Sequence, residues 1–135
     1  MSGETNLDAL LRSMSAQLAD GLFVFATFWD NVIPAGLTPR MTFREAEGLT
    51  LIVLKSEADA LGLPFAFPCR MITLNIHSSL DAVGFIAEVA TRLARHDMGV
   101  NPVSGFYHDH LFVPDGREDE AMEVLGRIAR GDPGD

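Results

Sequence analysis

His77, Ser78, Ser79 and Asp81 crowd hydrogen-bonding side chains into one short stretch between two apolar segments. Before them runs a strand-like segment that ends in Asn75-Ile76. After them Ala82-Val83-Gly84-Phe85 opens an amphipathic helical pattern. The first N–H groups of a helix have no carbonyl partners within it, and the helix dipole is positive there. Such a junction suits a small anionic ligand. Ser78 and Asp81 also stand in the [ST]-x-x-[DE] capping-box relation. Ser78, Ser79 and the backbone from Val83 to Phe85 would hold one end of a ligand. His77, Asp81 or His110 would select the other, and Asn75 borders the same loop. A helix terminus gives an exposed anion only ~0.3–1 kcal/mol, whereas micromolar affinity needs about 8 kcal/mol. A second wall and desolvation must supply the rest. Asp81 would favour a ligand ammonium, so an amino-acid zwitterion would use both charges of the site.

Other chemistry is less well provided for. His108 and His110 would share one face of an extended segment. With His77 they would form an open zinc site. The chain has no H-E-x-x-H motif and no paired cysteines, and histidines beside a turn more often serve structure. No metal and no cofactor are therefore expected, and a metal-dependent hydrolase ranks as a third reading. Ser78 and Ser79 lack the nucleophile-elbow pattern and an orienting acid near His77. Glu45 and Glu47 read as solvent-facing charges, so no catalytic residue is assigned. Cys69 is the only cysteine and reads as a small buried hydrophobe. Among Phe23, Phe25, Phe28 and Trp29, the tryptophan is expected to reach the surface.

These groups must be positioned by a chain of 135 residues that is 47% hydrophobic, enough for a real core. The net charge of −9 leaves 10 basic residues among 19 acidic ones. Nucleic acid and anionic membrane are excluded as partners on that ground. No apolar run approaches the roughly 20 residues of a membrane span, and the first residues lack a secretory pattern. A cytoplasmic protein is expected.

Leu7, Leu10, Leu11, Met14 and Leu18 recur at helical spacing, with Thr5 and Asp8 as a weak capping box and Gly21 as a stop. Leu22–Phe28 reads as a buried strand and Trp29–Pro39 as a loop. Met41 and Phe43 alternate as in a half-buried strand. Glu47-Gly48 turns the chain into Leu49–Leu54. Ser56 would cap a short helix that ends at Gly62 and Pro64. Cys69–Ile76 is a strand, Leu80–His96 a helix, and Val100–Phe106 an edge strand because Pro102 donates no ladder bond. Gly84 falls one turn into that helix, where it signals close backbone approach to a ligand or subunit, or close packing on the sheet. Leu111–Val113 is a short strand. The last helix carries Ala121, Val124, Leu125 and Ile128 on one face.

The expected order is αβββαβαββα, an α+β chain. Its second half is a βαββαβ unit without the final strand, and its first half has a strand to spare. Shared strands within two interlocked ferredoxin-like units are the simplest solution.

Phe67–Ala129 resembles an ACT domain. The resemblance rests on Met71–Ile76, His77-Ser78-Ser79, Asp81–Phe85 and Tyr107–Pro114. Asp81-Ala82-Val83-Gly84 is similar to the first-helix start of aspartokinase regulatory ACT domains. With Phe43–Leu51 the chain resembles a small bacterial family of tandem-ACT proteins, and one half of a cytosolic arginine sensor. The resemblance implies an N-terminal ACT-like half (1–66) and a C-terminal ACT domain (67–135). It also implies a homodimer or other partner, since no kinase domain is attached, and an amino acid or related metabolite as ligand. By position it points to Asn75, His77, Ser78, Ser79, Val83, Gly84 and Phe85. The alternative is a non-catalytic interaction or dimerisation module whose loop is only a cap.

Overall fold

The computed structural model describes residues 6–76, 80 and 82–133. The elements are α1 (Leu7–Ser13), β1 (Ser15–Leu18), β2 (Phe23–Phe28), β3 (Met41–Glu45), β4 (Gly48–Leu54), α2 (Lys55–Leu61), β5 (Phe65–Asn75), α3 (Phe85–Ala94), β6 (Asn101–Ser104), β7 (Asp109–Pro114) and α4 (Glu118–Arg130). This is the expected α+β order with one strand added, β1. The first helix does not reach Leu18 as its spacing suggests. It stops at Ser13, and Met14 is already extended. Asn6 caps it, accepting the Ala9 N–H at 3.0 Å.

The chain divides into two compact units, Gly21–Cys69 and the residues up to Asp20 together with those from Arg70 onward. In Gly21–Cys69 the strands lie in the order β3-β4-β2-β5, and each neighbour pair is antiparallel. That is the strand order of a ferredoxin-like ACT unit. Val24, Ala26, Leu49, Leu51 and Val53 alternate toward α2 and meet Ala58 and Leu63 in a core. The crossover from β2 to β3, residues 29–40, is a loop where the ferredoxin pattern has a helix. Leu37 packs on the core from this loop, and the Thr38 N–H donates to Glu57 Oε2 at 2.9 Å. Glu57 Oε1 accepts the Leu54 N–H at 3.2 Å, and Leu54, not Ser56, is the N-cap of α2. Cys69 is fully buried, and its thiol donates to the Phe23 carbonyl at 3.4 Å. Trp29 is 79% exposed, as its sequence position suggested.

In the other unit the order is β1-β5-β7-β6. Ser15–Leu18 pair antiparallel with Asn75–Ile72. β1 thus takes the place beside β5 that the last strand of a βαββαβ unit fills. β5 serves both units, giving its first residues to one and its later residues to the other. Leu10, Ile72, Leu74, Val89, Leu111 and Val124 are among the fully buried side chains joining α1, α3 and α4 to one sheet face. β6 is an edge strand, with Pro102 in it, as expected.

The helix expected at Leu80–His96 is shorter, Phe85–Ala94. Gly84 has a left-handed φ of +90° and is its N-cap, not a residue one turn inside it. A left-handed residue cannot continue a right-handed helix, so α3 begins only after Gly84; the capping-box residues Ser78 and Asp81 lie outside the described residues. A Cβ on Gly84 would sit 3.6 Å from Leu7, an ordinary contact. The backbone angle, rather than crowding, calls for glycine here. Among the described residues no helix is long and apolar enough to cross a membrane.

Candidate functional site

A cavity of about 210 Å³ lies between the start of α3 and the β6–β7 hairpin. Leu80, Ala82, Gly84, Phe85, Ile86 and Ala87 line one wall; Ser104, Gly105, Tyr107, His108 and Asp109 line the other. At the start of α3 the Glu88 N–H donates to the Gly84 carbonyl at 2.9 Å. The N–H groups of Phe85, Ile86 and Ala87 precede that bond, and no Gly84 side chain exists to cap them. The helix therefore turns its positive end toward the cavity.

The opposite wall is a tight turn. The Gly105 N–H donates to the His108 carbonyl at 2.9 Å, and a Cβ on Gly105 would lie 3.1 Å from that oxygen. Phe106 and Tyr107 project from this turn, 72% and 69% exposed, with their rings edge to face at 5.0 Å. Asp109 is buried beside them. One wall thus offers helix N–H donors and the other a carboxylate and a phenol. A small zwitterion has complementary charges. The volume is below the 300–1,000 Å³ common for drug-sized ligands.

Of the residues singled out from sequence, Gly84 and Phe85 line this cavity. Val83 is 84% exposed and stands outside its lining. Asn75 and His110 lie on the sheet face away from the helices, because Ile72, Leu74, Leu111 and Val113 take the helix side. There His110 Nδ1 meets the Thr73 hydroxyl at 3.0 Å, and the Asn75 amide donates to Gln17 Oε1 at 3.5 Å. His77, Ser78, Ser79 and Asp81 lie outside the described residues. Among the described residues no group of three or more His, Cys, Asp or Glu side chains could hold a metal ion. His108 is on the cavity wall while His110 faces Thr73. Sequence reasoning did not place Ser104, Tyr107 and Asp109 in the site. Their one signal was Gly105, a glycine at a strand end that permits a close turn.

An ACT domain family model matches residues 2–70, and a second ACT domain model matches residues 66–127. The chain belongs to the ACT domain family. ACT domains are regulatory modules that typically bind amino acids. The ACT chain is 41% identical to a Vibrio cholerae protein of unknown function, described as a possible transport protein. That match has a TM-score of 0.81 and covers 91% of this chain and 95% of the other. The ACT fold also matches a structure of aspartokinase alpha and beta subunits (TM-score 0.63, 9% identity, 86% of this chain and 97% of that one). A C-terminal regulatory domain of aspartate kinase from Porphyromonas gingivalis matches with TM-score 0.57 and 13% identity, over 87% of this chain and 98% of that one. These last two show the fold alone. No curated protein matches the sequence.

Proposed function

We propose that this ACT protein binds a small amino acid in the cavity at the start of α3 and reports its presence to a partner, without catalysing a reaction. The supporting observation is the pairing of opposite electrostatic character across about 210 Å³: helix N–H groups of Phe85–Ala87 on one wall, Asp109 and Tyr107 on the other. The ligand carboxylate goes to the helix start and its ammonium to the Asp109 side. His77, Ser78, Ser79 and Asp81 enter the proposal by their place in the sequence, between the end of β5 and Ala82 of the cavity wall. Asn75 and His110 are left out of the first contact set because they face Thr73 and Gln17. The protein works in the cytoplasm in this reading.

The test is thermal unfolding against the twenty amino acids at millimolar concentration. A ligand at 100 times its dissociation constant adds about 2.7 kcal/mol, a shift of several degrees for a chain of this size. One selective hit is the expected result. A flat panel would sink the sensor reading. It would favour an interaction module, for which the exposed Leu80, Val83, Phe106 and Tyr107 around the cavity provide an apolar rim.

A further inference from the structure

We propose that the free edge of β1, with the groove between it and α4, receives the carboxyl-terminal strand of a partner protein. This surface shares no residue with the cavity at α3, and the inference does not rest on the ligand reading. Among the described residues β1 pairs with β5 alone. The Ala19 N–H donates to the Met71 carbonyl at 2.9 Å, just past the last pair of that ladder. Hydrogen-bonded pairs alternate along an antiparallel ladder, so Gln17 and Ser15 are the next to bond β5. The N–H and C=O groups of Ala16 and Leu18 therefore point away from β5. An open edge of this kind accepts another strand. β6, the other edge of the same unit, is blunted by Pro102. Ser15–Leu18 contains no proline, glycine or charge to do the same.

Beside this edge lies a mainly apolar cavity of about 270 Å³, whose walls include Met14, Ala16, Met122, Leu125, Gly126 and Ala129. Ala16 and Leu18 turn their side chains to the helix side of the sheet. A residue added opposite Ala16 points its side chain the same way and enters the cavity. The volume suits one aliphatic side chain, since whole drug-sized ligands occupy roughly 300–1,000 Å³. The flexible Met14 and Met122 adapt to its shape.

Charge sets the direction of the incoming strand. Arg70 donates to the Ala19 carbonyl at 3.3 Å and to Glu118 at 3.0 Å, so the end of β1 lies by the start of α4. Arg12 against Gly131 joins the opposite ends, and α4 thus runs antiparallel to β1. Asp119, Met122, Gly126 and Ala129 recur along one side of α4. Arg130 Nη1 lies 3.3 Å from where a Gly126 Cβ would stand. The groove is therefore basic toward Ser15, with Arg12 and Arg130, and acidic past Leu18, with Asp20 and Asp119. Arg130 is 3.6 Å from Asp132, but no described carboxylate pairs with Arg12. A strand antiparallel to β1 brings its carboxyl end to these arginines, and a parallel one would bring its amino end. Met14 leads directly into α1, so the edge stops there and the incoming chain ends with it.

Fluorescence anisotropy with rhodamine-labelled peptides Lys-Thr-Val-Thr-Z-Ser tests the proposal, Z being alanine, valine, leucine, methionine or phenylalanine. Each peptide is made with a free carboxylate and as the amide. The leucine or methionine peptide should bind about tenfold or more tighter than the alanine one, from the added apolar area. Amidation should weaken it several-fold, the scale of an exposed ion pair. Ala16→Pro removes an outward N–H and no β5 bond, so it should keep native circular dichroism and lose binding. Gly126→Leu replaces a glycine inside a helix, so it should melt no lower than wild type while filling the cavity. No binding by any peptide at millimolar concentration overturns the proposal. So does equal affinity for every Z, indifference to amidation, or binding that both variants leave intact. A wild-type dimer that Ala16→Pro dissolves would put a second copy on this edge and overturn it as well.

Discussion

The guanidinium of Arg12 lies against Gly131: a Cβ built on that glycine would come within 2.6 Å of Arg12 Cζ. Gly131 is the C-cap of α4, with a left-handed φ of +80°. α1 and α4 are thus tied together where the helix dipole is negative, and the cation suits that end.

Gly131→Ala should destabilise the protein by about 1–2 kcal/mol, the cost of a left-handed non-glycine residue. The guanidinium ends a flexible side chain and can move aside, so the backbone angle sets most of the loss. Gly131→Asn should recover part of it, since asparagine tolerates this conformation. Urea unfolding of the three proteins checks the order.

Gly48→Ala should cost more than Gly131→Ala. At Gly48 a Cβ would lie 2.5 Å from the Phe28 carbonyl oxygen, and φ is +149°. That obstacle is backbone held by the β2–β4 ladder and cannot step aside. We expect a loss above roughly 2 kcal/mol, in the range reserved for strained backbone positions. A melting temperature equal to that of Gly131→Ala would refute this.

Glu120 gives the fold an acid limb. The Arg117 guanidinium, and after it His96, hydrogen-bond its carboxylate and hold its pKa below the usual value. Arg117 also donates to the His96 carbonyl at 2.8 Å, closing the cluster. A group whose pKa is lowered by folding stabilises fully above its unfolded value, about 4.3 for Glu. That contribution is lost as the pH falls through the depressed folded value. Glu120→Gln should therefore melt lower than wild type at pH 6. The gap should close on acidification below about pH 4.3, the unfolded value for Glu. A gap that stays constant with pH would mean the ion pairs contribute nothing.

Tyr107→Ala should separate binding from stability. The side chain is 69% exposed, so its removal should leave unfolding within about 0.5 kcal/mol of wild type. It lines the cavity, so the thermal shift caused by the responding amino acid should fall. An undiminished shift would move the ligand elsewhere.

Much of this architecture is legible in the chain, and the failures have physical causes. α4 is readable because Ala121, Val124, Leu125 and Ile128 recur at a period that only a helix buries together, and all four are buried. β1 is not readable because Leu18 fits both helical spacing from Met14 and strand alternation with Ala16. Pairing with Ile72–Asn75, far along the chain, decides between them. The helix expected from Leu80 begins only at Phe85, because the left-handed Gly84 cannot belong to it and a local capping-box pattern does not report that backbone angle. Tyr107 and Asp109 are invisible as site residues because their wall comes from a hairpin brought to α3 by the sheet.

The place taken by β1 has a consequence for how the molecule comes into being. Gly21–Cys69 is one uninterrupted stretch and can close all its ladders as soon as it has been synthesised. Ser15–Leu18 leave the ribosome earlier but have no strand to join until Ile72–Asn75 follow. The helix packed against them, α4, comes later still. A segment made before Gly21–Cys69 thus belongs to the unit completed after it, and long-range pairing of this kind is slow to form. In the interval β1 is an unpaired strand in a growing chain, the period in which the protein is most open to chaperones and to wrong partners.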